Sequence, residues 1–130
     1  MKLAYASAAN ARVQMRERQR RDRMATPALR TRFPQFASVR FDFEFSDSGP
    51  FTPAPLATVM HPPACAYFFF PCPYADCDGE FNLTAAVAEL AKDDEASCEG
   101  NLKCSGHRTG DKGRVPCQLT VDYHIEAQRG

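Results

Sequence analysis

The sequence predicts an α+β fold: a small antiparallel sheet with one helix, gathered around a cluster of cysteines and preceded by a flexible basic N-terminal arm. Three observations predict it. Two segments, 39–45 and 119–125, alternate apolar and polar residues with the period of a half-buried strand. Residues 83–91 place their apolar side chains on one stripe of a helix. All six cysteines lie between Cys65 and Cys117. A chain of 130 residues accommodates one domain with a tail. The expected division is a basic arm over 1–35, helical or disordered, and a Cys-rich domain over 36–130.

The formal net charge is zero but unevenly placed. Residues 1–40 carry ten Lys and Arg against two acids, Glu17 and Asp22, whereas the rest carries six against fourteen. Residues 10–24 are good helix formers. Only Val13 and Met15 give such a helix a greasy surface. Arg16, Arg18, Arg20, Arg21 and Arg23 make it basic nearly all round, so it is expected to pack into no core. Arginine forks match phosphate oxygens, which makes these five the candidate anion contacts and nucleic acid a partner open to the arm. The bland alternative is a solvated leader. Met15 and Met24 are both plausible alternative starts.

Met1 to Ala11 has the Lys, small residues and Ala-x-Ala spacing of a secretory signal, but its apolar part is short and mostly alanine. No stretch approaches the about 20 apolar residues that span a bilayer. The expected setting is cytoplasmic, away from the membrane. There, clustered cysteines are more often metal ligands than disulfides.

Val39, Phe41, Phe43 and Phe45 share one strand face and Arg40, Asp42 and Glu44 the other. Ser46-Asp47-Ser48-Gly49-Pro50 ends this strand with turn chemistry. Four prolines in 51–63 predict an irregular connection. Ala66 to Phe70 is an aromatic run stopped by Pro71, expected as a strand covered on both faces and paired with 39–45. Leu83, Val87, Leu90 and Ala91 form the helix stripe, with Asn82 or Thr84 able to cap its start. Asp93-Asp94-Glu95 opposes the helix dipole and suits a stop. Residues 102–125 then form a hairpin with a long tip, with Cys104 and Cys117 at its two bases.

That hairpin makes the cysteines a candidate metal site. Zinc with four thiolates wants a tetrahedron with metal–sulfur bonds of about 2.3 Å. Cys72 and Cys77, separated by four residues and stiffened by Pro71 and Pro73, supply one loop; Cys104 and Cys117 supply the other. Cys98 and His107 are the possible substitute ligands, and iron fits the same thiolates. Cys65 is expected to be a small buried hydrophobe. Asp76, Asp78 and Glu80 form an acidic cluster beside the knuckle, expected as a solvated loop face.

Cys72-Pro73…Cys77-Asp78-Gly79 resembles the Cys-Pro-x-x-Cys-Gly knuckle of zinc ribbons and rubredoxin-like domains. It departs in having four residues between the cysteines, and the second loop has twelve. The resemblance implies a zinc-ribbon-like site of four cysteines within residues 65–125. The overall pattern also resembles small bacterial Cys-rich proteins, which implies no particular activity. No Cys-x-x-Cys, serine elbow or His-Glu-x-x-His pattern organises a reaction centre. The expectation is a non-enzymatic zinc-binding module that interacts with or regulates a protein partner. The alternative is a thiol-redox or metal-handling protein using Cys65 or Cys98.

Overall fold

The computed structural model describes residues 2–130, with side chains from Asn10 onward. The signal-like stretch Met1 to Ala11 therefore falls largely outside the described side chains. In chain order the elements are α1 (Lys2–Ala25), α2 (Leu29–Arg32), β1 (Phe36–Ser46), β2 (Leu56–Met60), β3 (Phe69–Pro71), β4 (Glu80–Asn82), α3 (Thr84–Lys92), β5 (Ser97–Lys103), β6 (His107–Gly110), β7 (Gly113–Pro116) and β8 (Thr120–Arg129). Among the described residues the expected single helix is thus one of three.

The main sheet is antiparallel, ordered β2-β1-β8-β5. Its centre is the pairing of the two alternating segments, with Phe41 opposite Ile125 and Phe45 opposite Val121. Their apolar residues share the buried face: Val39, Phe41, Val121 and Ile125 are fully enclosed. The opposite face is wet, with Arg40 paired to Glu126 and Asp42 to His124. α3 closes the apolar face. Val87 and Leu90 are buried and Ala91 is half-buried. The expected side-chain cap is absent: Leu83 is the N-cap residue and makes no such bond, while Asn82 Oδ1 accepts the Thr84 N–H at 3.0 Å from one position earlier, a local turn at the helix entry. The helix stops before Asp94, which adopts a left-handed φ of 57°.

Two expectations of pairing are corrected. Residues 56–60 form a strand, because the prolines flank this stretch rather than interrupt it. As an edge strand β2 needs ladder bonds on one side only, and it pairs with β1 from Met60 to Leu56. The aromatic run does not pair with 39–45, since both edges of β1 are taken by β2 and β8. Only Phe69–Pro71 is strand, and it pairs with β4. The rest of the run builds the core: Phe68 and Phe70 lie against Phe41, with ring centroids 6.0 and 5.0 Å away.

Outside the main sheet stand two short hairpins, β3–β4 and β6–β7. α1 lies beside β6 and β7. None of its described side chains joins the central apolar cluster, in keeping with its charge, yet Met15 and Gln19 are buried. Among the described residues, no helix is long and apolar enough to cross a membrane.

Candidate metal centre

The four buried thiols come from two knuckles of one design. In the first, β3 leads into Cys72, the chain turns through Pro73-Tyr74-Ala75-Asp76, and Cys77-Asp78-Gly79 enters β4. Proline on each side of Cys72 restricts the backbone there. In the second, Cys104-Ser105-Gly106 leaves β5, and Cys117 follows β7.

Each knuckle closes with the same two contacts. The Gly79 N–H donates to Cys77 Sγ at 3.3 Å, and Gly79 O accepts the Cys72 N–H at 3.0 Å. The Gly106 N–H donates to Cys104 Sγ at 3.4 Å, and Gly106 O accepts the Cys117 N–H at 2.9 Å. Backbone N–H groups aimed at sulfur favour the thiolate. The two glycines abut. A Cβ on Gly79 would collide with Cys104 Sγ and the Gly106 backbone, and one on Gly106 with the Gly79 backbone. Space, rather than an unusual φ, requires glycine at both positions.

The Sγ atoms of Cys72, Cys77, Cys104 and Cys117 all lie within 4.8 Å of one another. Cys77 Sγ and Cys104 Sγ are 3.6 Å apart. A disulfide would need about 2.05 Å, and all six cysteines are free. A tetrahedral ion with bonds of about 2.3 Å holds its sulfurs about 3.8 Å apart. The group could therefore hold one metal ion.

Without a cation the thiols share protons among themselves. Hydrogen bonds from Cys72 and Cys77 pull the Cys104 thiol well below its ordinary value. The same contact with Cys104 pushes Cys72 and Cys77 up, and burial pushes Cys117 up. Only added positive charge would let all four ionise together.

Ion pairs and hydrogen bonds surround the knuckles. Arg12 Nη1 donates to the carbonyls of Cys72 and Cys77, at 2.8 and 2.9 Å. Glu80 accepts from Arg18 at 2.5 Å and from the buried Gln19 at 2.7 Å. Asp76 accepts from Arg108 at 2.9 Å and from the Thr109 N–H at 3.1 Å. Asp78 accepts from Arg114 and from the His107 N–H. Burial raises Asp76 and Asp78, but these donors outweigh it and hold both carboxyls below the usual range. The acidic cluster is thus a set of clamps rather than a solvated loop face. Arg108 also lies over the Tyr74 ring, 3.7 Å from its centroid.

Of the residues singled out from sequence, the structure brings Cys72, Cys77, Cys104 and Cys117 together and leaves the two substitutes outside. Cys98 sits on β5 under α3, its thiol 4.0 Å from Ala86 O. His107 is exposed at the start of β6 and touches the knuckle only through its backbone. Cys65 is half-buried, and its backbone bridges Ala28. Of the five arm arginines, Arg18 is committed to Glu80 and Asp22. Arg16, Arg20, Arg21 and Arg23 are exposed, with Arg16 bonded to Gln19, Arg20 to Glu17, and Arg23 over the Tyr67 ring.

Sequence reasoning missed Arg12, Gln19, Arg108 and Arg114. It also missed the repeated Cys-x-Gly of Cys77-Asp78-Gly79 and Cys104-Ser105-Gly106, which was there to find. Arg12 carries no such signal, being 60 and 65 residues from the cysteines that it binds.

The chain matches no protein-family model, no curated protein and no solved structure. What fold and site define is therefore a class: a mixed helix-and-sheet protein with a four-cysteine group able to hold a metal ion. No family or structural match places it among the zinc ribbons.

Proposed function

We propose that this protein is a non-enzymatic zinc-binding module in which Cys72, Cys77, Cys104 and Cys117 hold one ion, and that it serves as an interaction or regulatory protein in the cytoplasm. The observation that carries the reading is the convergence of four buried sulfurs, two from each knuckle, within 4.8 Å. Thiolates select soft or borderline metals, so zinc leads and iron is the competitor on the same donors. Bound zinc supplies the charge that lets all four thiols ionise. Four protein ligands leave no open position for water, so the role is structural rather than hydrolytic.

A module of this kind acts through what it displays. The exposed arginines of α1, Arg16, Arg20, Arg21 and Arg23, form a basic face suited to an acidic protein partner, with nucleic acid as the other partner of matching charge. The competing thiol-redox reading gains nothing from Cys98. Burial, then Glu89, pushes its thiol up, the opposite of a reactive thiolate.

Elemental analysis of protein purified without added metal, combined with thiol counting in the native state, tests the reading. The expected result is one zinc per chain, with only Cys65 and Cys98 of the six cysteines open to a thiol reagent. No bound metal and a reversible disulfide among the four would overturn it in favour of redox chemistry.

A further inference from the structure

We infer that Arg12 belongs to the metal site as a positioning residue: it holds the wide first knuckle closed, so that metal binding and the docking of α1 support one another. The inference rests on the metal reading above and adds a part of the chain that the four cysteines do not include.

Four residues separate Cys72 and Cys77, and a span of that length has freedom to splay. Within it, one local backbone contact turns the chain, from the Cys77 N–H to Tyr74 O at 3.2 Å. Arg12 adds what the span lacks. A single nitrogen, Nη1, takes both ligand carbonyls, pinning the backbones of Cys72 and Cys77 to one point. Holding both carbonyls narrows the backbone freedom of Cys72 and Cys77, and with it the range of Cα–Cβ directions that aim the two sulfurs. The guanidinium also brings positive charge beside a centre that would be anionic, since four thiolates outweigh one divalent ion.

The rest of α1 docks on the same unit. Arg18 and Gln19 both reach Glu80, the residue after Gly79. The helix lies along β6 and β7, the hairpin between Cys104 and Cys117. None of its described residues joins the central apolar cluster. Apart from Arg23 over the Tyr67 ring, the side-chain hydrogen bonds that the described residues of α1 send outside the helix end on the first knuckle and Glu80, so its docking depends on what keeps that knuckle shaped. By reciprocity, what holds the helix must also raise metal affinity.

The test uses full-length protein and two measurements. Zinc affinity is read by competition with a chromophoric chelator for wild type, Arg12→Ala, Arg12→Lys and Arg40→Ala, the last removing a charge from the wet face of β1. Arg12→Ala should bind zinc about 10- to 100-fold more weakly. Arg12→Lys should recover part of the loss, and Arg40→Ala should match wild type. Hydrogen exchange on wild type should then show amides in residues 10–24 losing protection when zinc is stripped, while those of β1 and β8 keep theirs.

If wild type holds one zinc and Arg12→Ala binds it as tightly, the inference is overturned and the metal site stands. Equal protection of 10–24 with and without zinc also overturns it, and this holds even if Arg12→Ala fails to fold. A wild type that binds no zinc removes both readings.

Discussion

The main sheet and the two-knuckle unit are held together by different physics. In the sheet, Phe41, Val39, Ile125 and Val121 are enclosed along the β1–β8 pairing, and α3 seals them with Val87 and Leu90. This is ordinary apolar burial, spread over many contacts and indifferent to ions. In the knuckle unit the strands are three or four residues long. Its four sulfurs, with Phe81 and Phe70 beside them, adjoin the apolar cluster of the sheet, and its edges are closed by Arg12, Arg108 and Arg114 on backbone carbonyls and carboxylates. Short hairpins are marginal on their own. One region should therefore stand without metal, while the other should come apart.

The largest effect expected concerns that asymmetry. A structural zinc ion contributes on the order of 10 kcal/mol to folding at neutral pH, comparable with the whole stability of a domain. Chelation, Cys72→Ser or Cys117→Ser should abolish metal binding and open the knuckle unit, with Cys65→Ser much milder. Backbone NMR or hydrogen exchange would locate the damage. Loss confined to residues 10–24, 72–80 and 104–117, with β1 and β8 spared, sharpens the comparison; equal tolerance of all these substitutions breaks it.

Next in size is a cavity in the sheet. Ile125→Ala should cost about 2–5 kcal/mol in chemical denaturation, while a spectroscopic probe such as cobalt bound to the four thiolates keeps its tetrahedral signature in the folded fraction. A cobalt spectrum that changes along with the sheet in the native state would mean that the two regions are not separable.

The smallest effect lies at the join between the regions. Tyr74, in the first knuckle, donates to Asp47 beyond the end of β1 at 2.5 Å. Burial, then that hydrogen bond, raises the phenol from an ordinary 10.0 to about 12. A raised phenol favours the fold while protonated, so this contribution is whole below pH 10 and drains away as pH climbs toward 12. Burial raises the phenols of Tyr67 and Tyr123 as well, so phenolate absorbance should show a late-titrating group of tyrosines, and Asp47→Asn should move only the Tyr74 part of it back.

Legibility in the sequence followed the same divide. β1, β8 and α3 were visible because each advertises its buried face through local period: Val39-x-Phe41-x-Phe43 for a strand, and Leu83, Val87 and Leu90 for a helix. β2 was hidden by the prolines around it. The aromatic run reads as a sheet neighbour of β1, but residue type reports burial without saying which strand is adjacent. In the site, the spacing of Cys72 and Cys77 and the hairpin base at Cys104 and Cys117 pointed to the four thiols. α1 was legible as a basic helix, yet its docking was not, because polar clamps such as Arg12 and Gln19 leave no periodic trace.

By itself the sequence determined which residues seek burial, where the chain must turn, and that sulfur is concentrated in one half. Those are properties of neighbours along the chain, and short-range sterics and hydrophobic pattern decide them. Only the tertiary structure decided that Gly79 and Gly106 press together, that four sulfurs converge, and that a guanidinium from the first helix locks two of their carbonyls. Such contacts join residues dozens of positions apart, and their geometry exists only once the sheet has brought the two knuckles face to face.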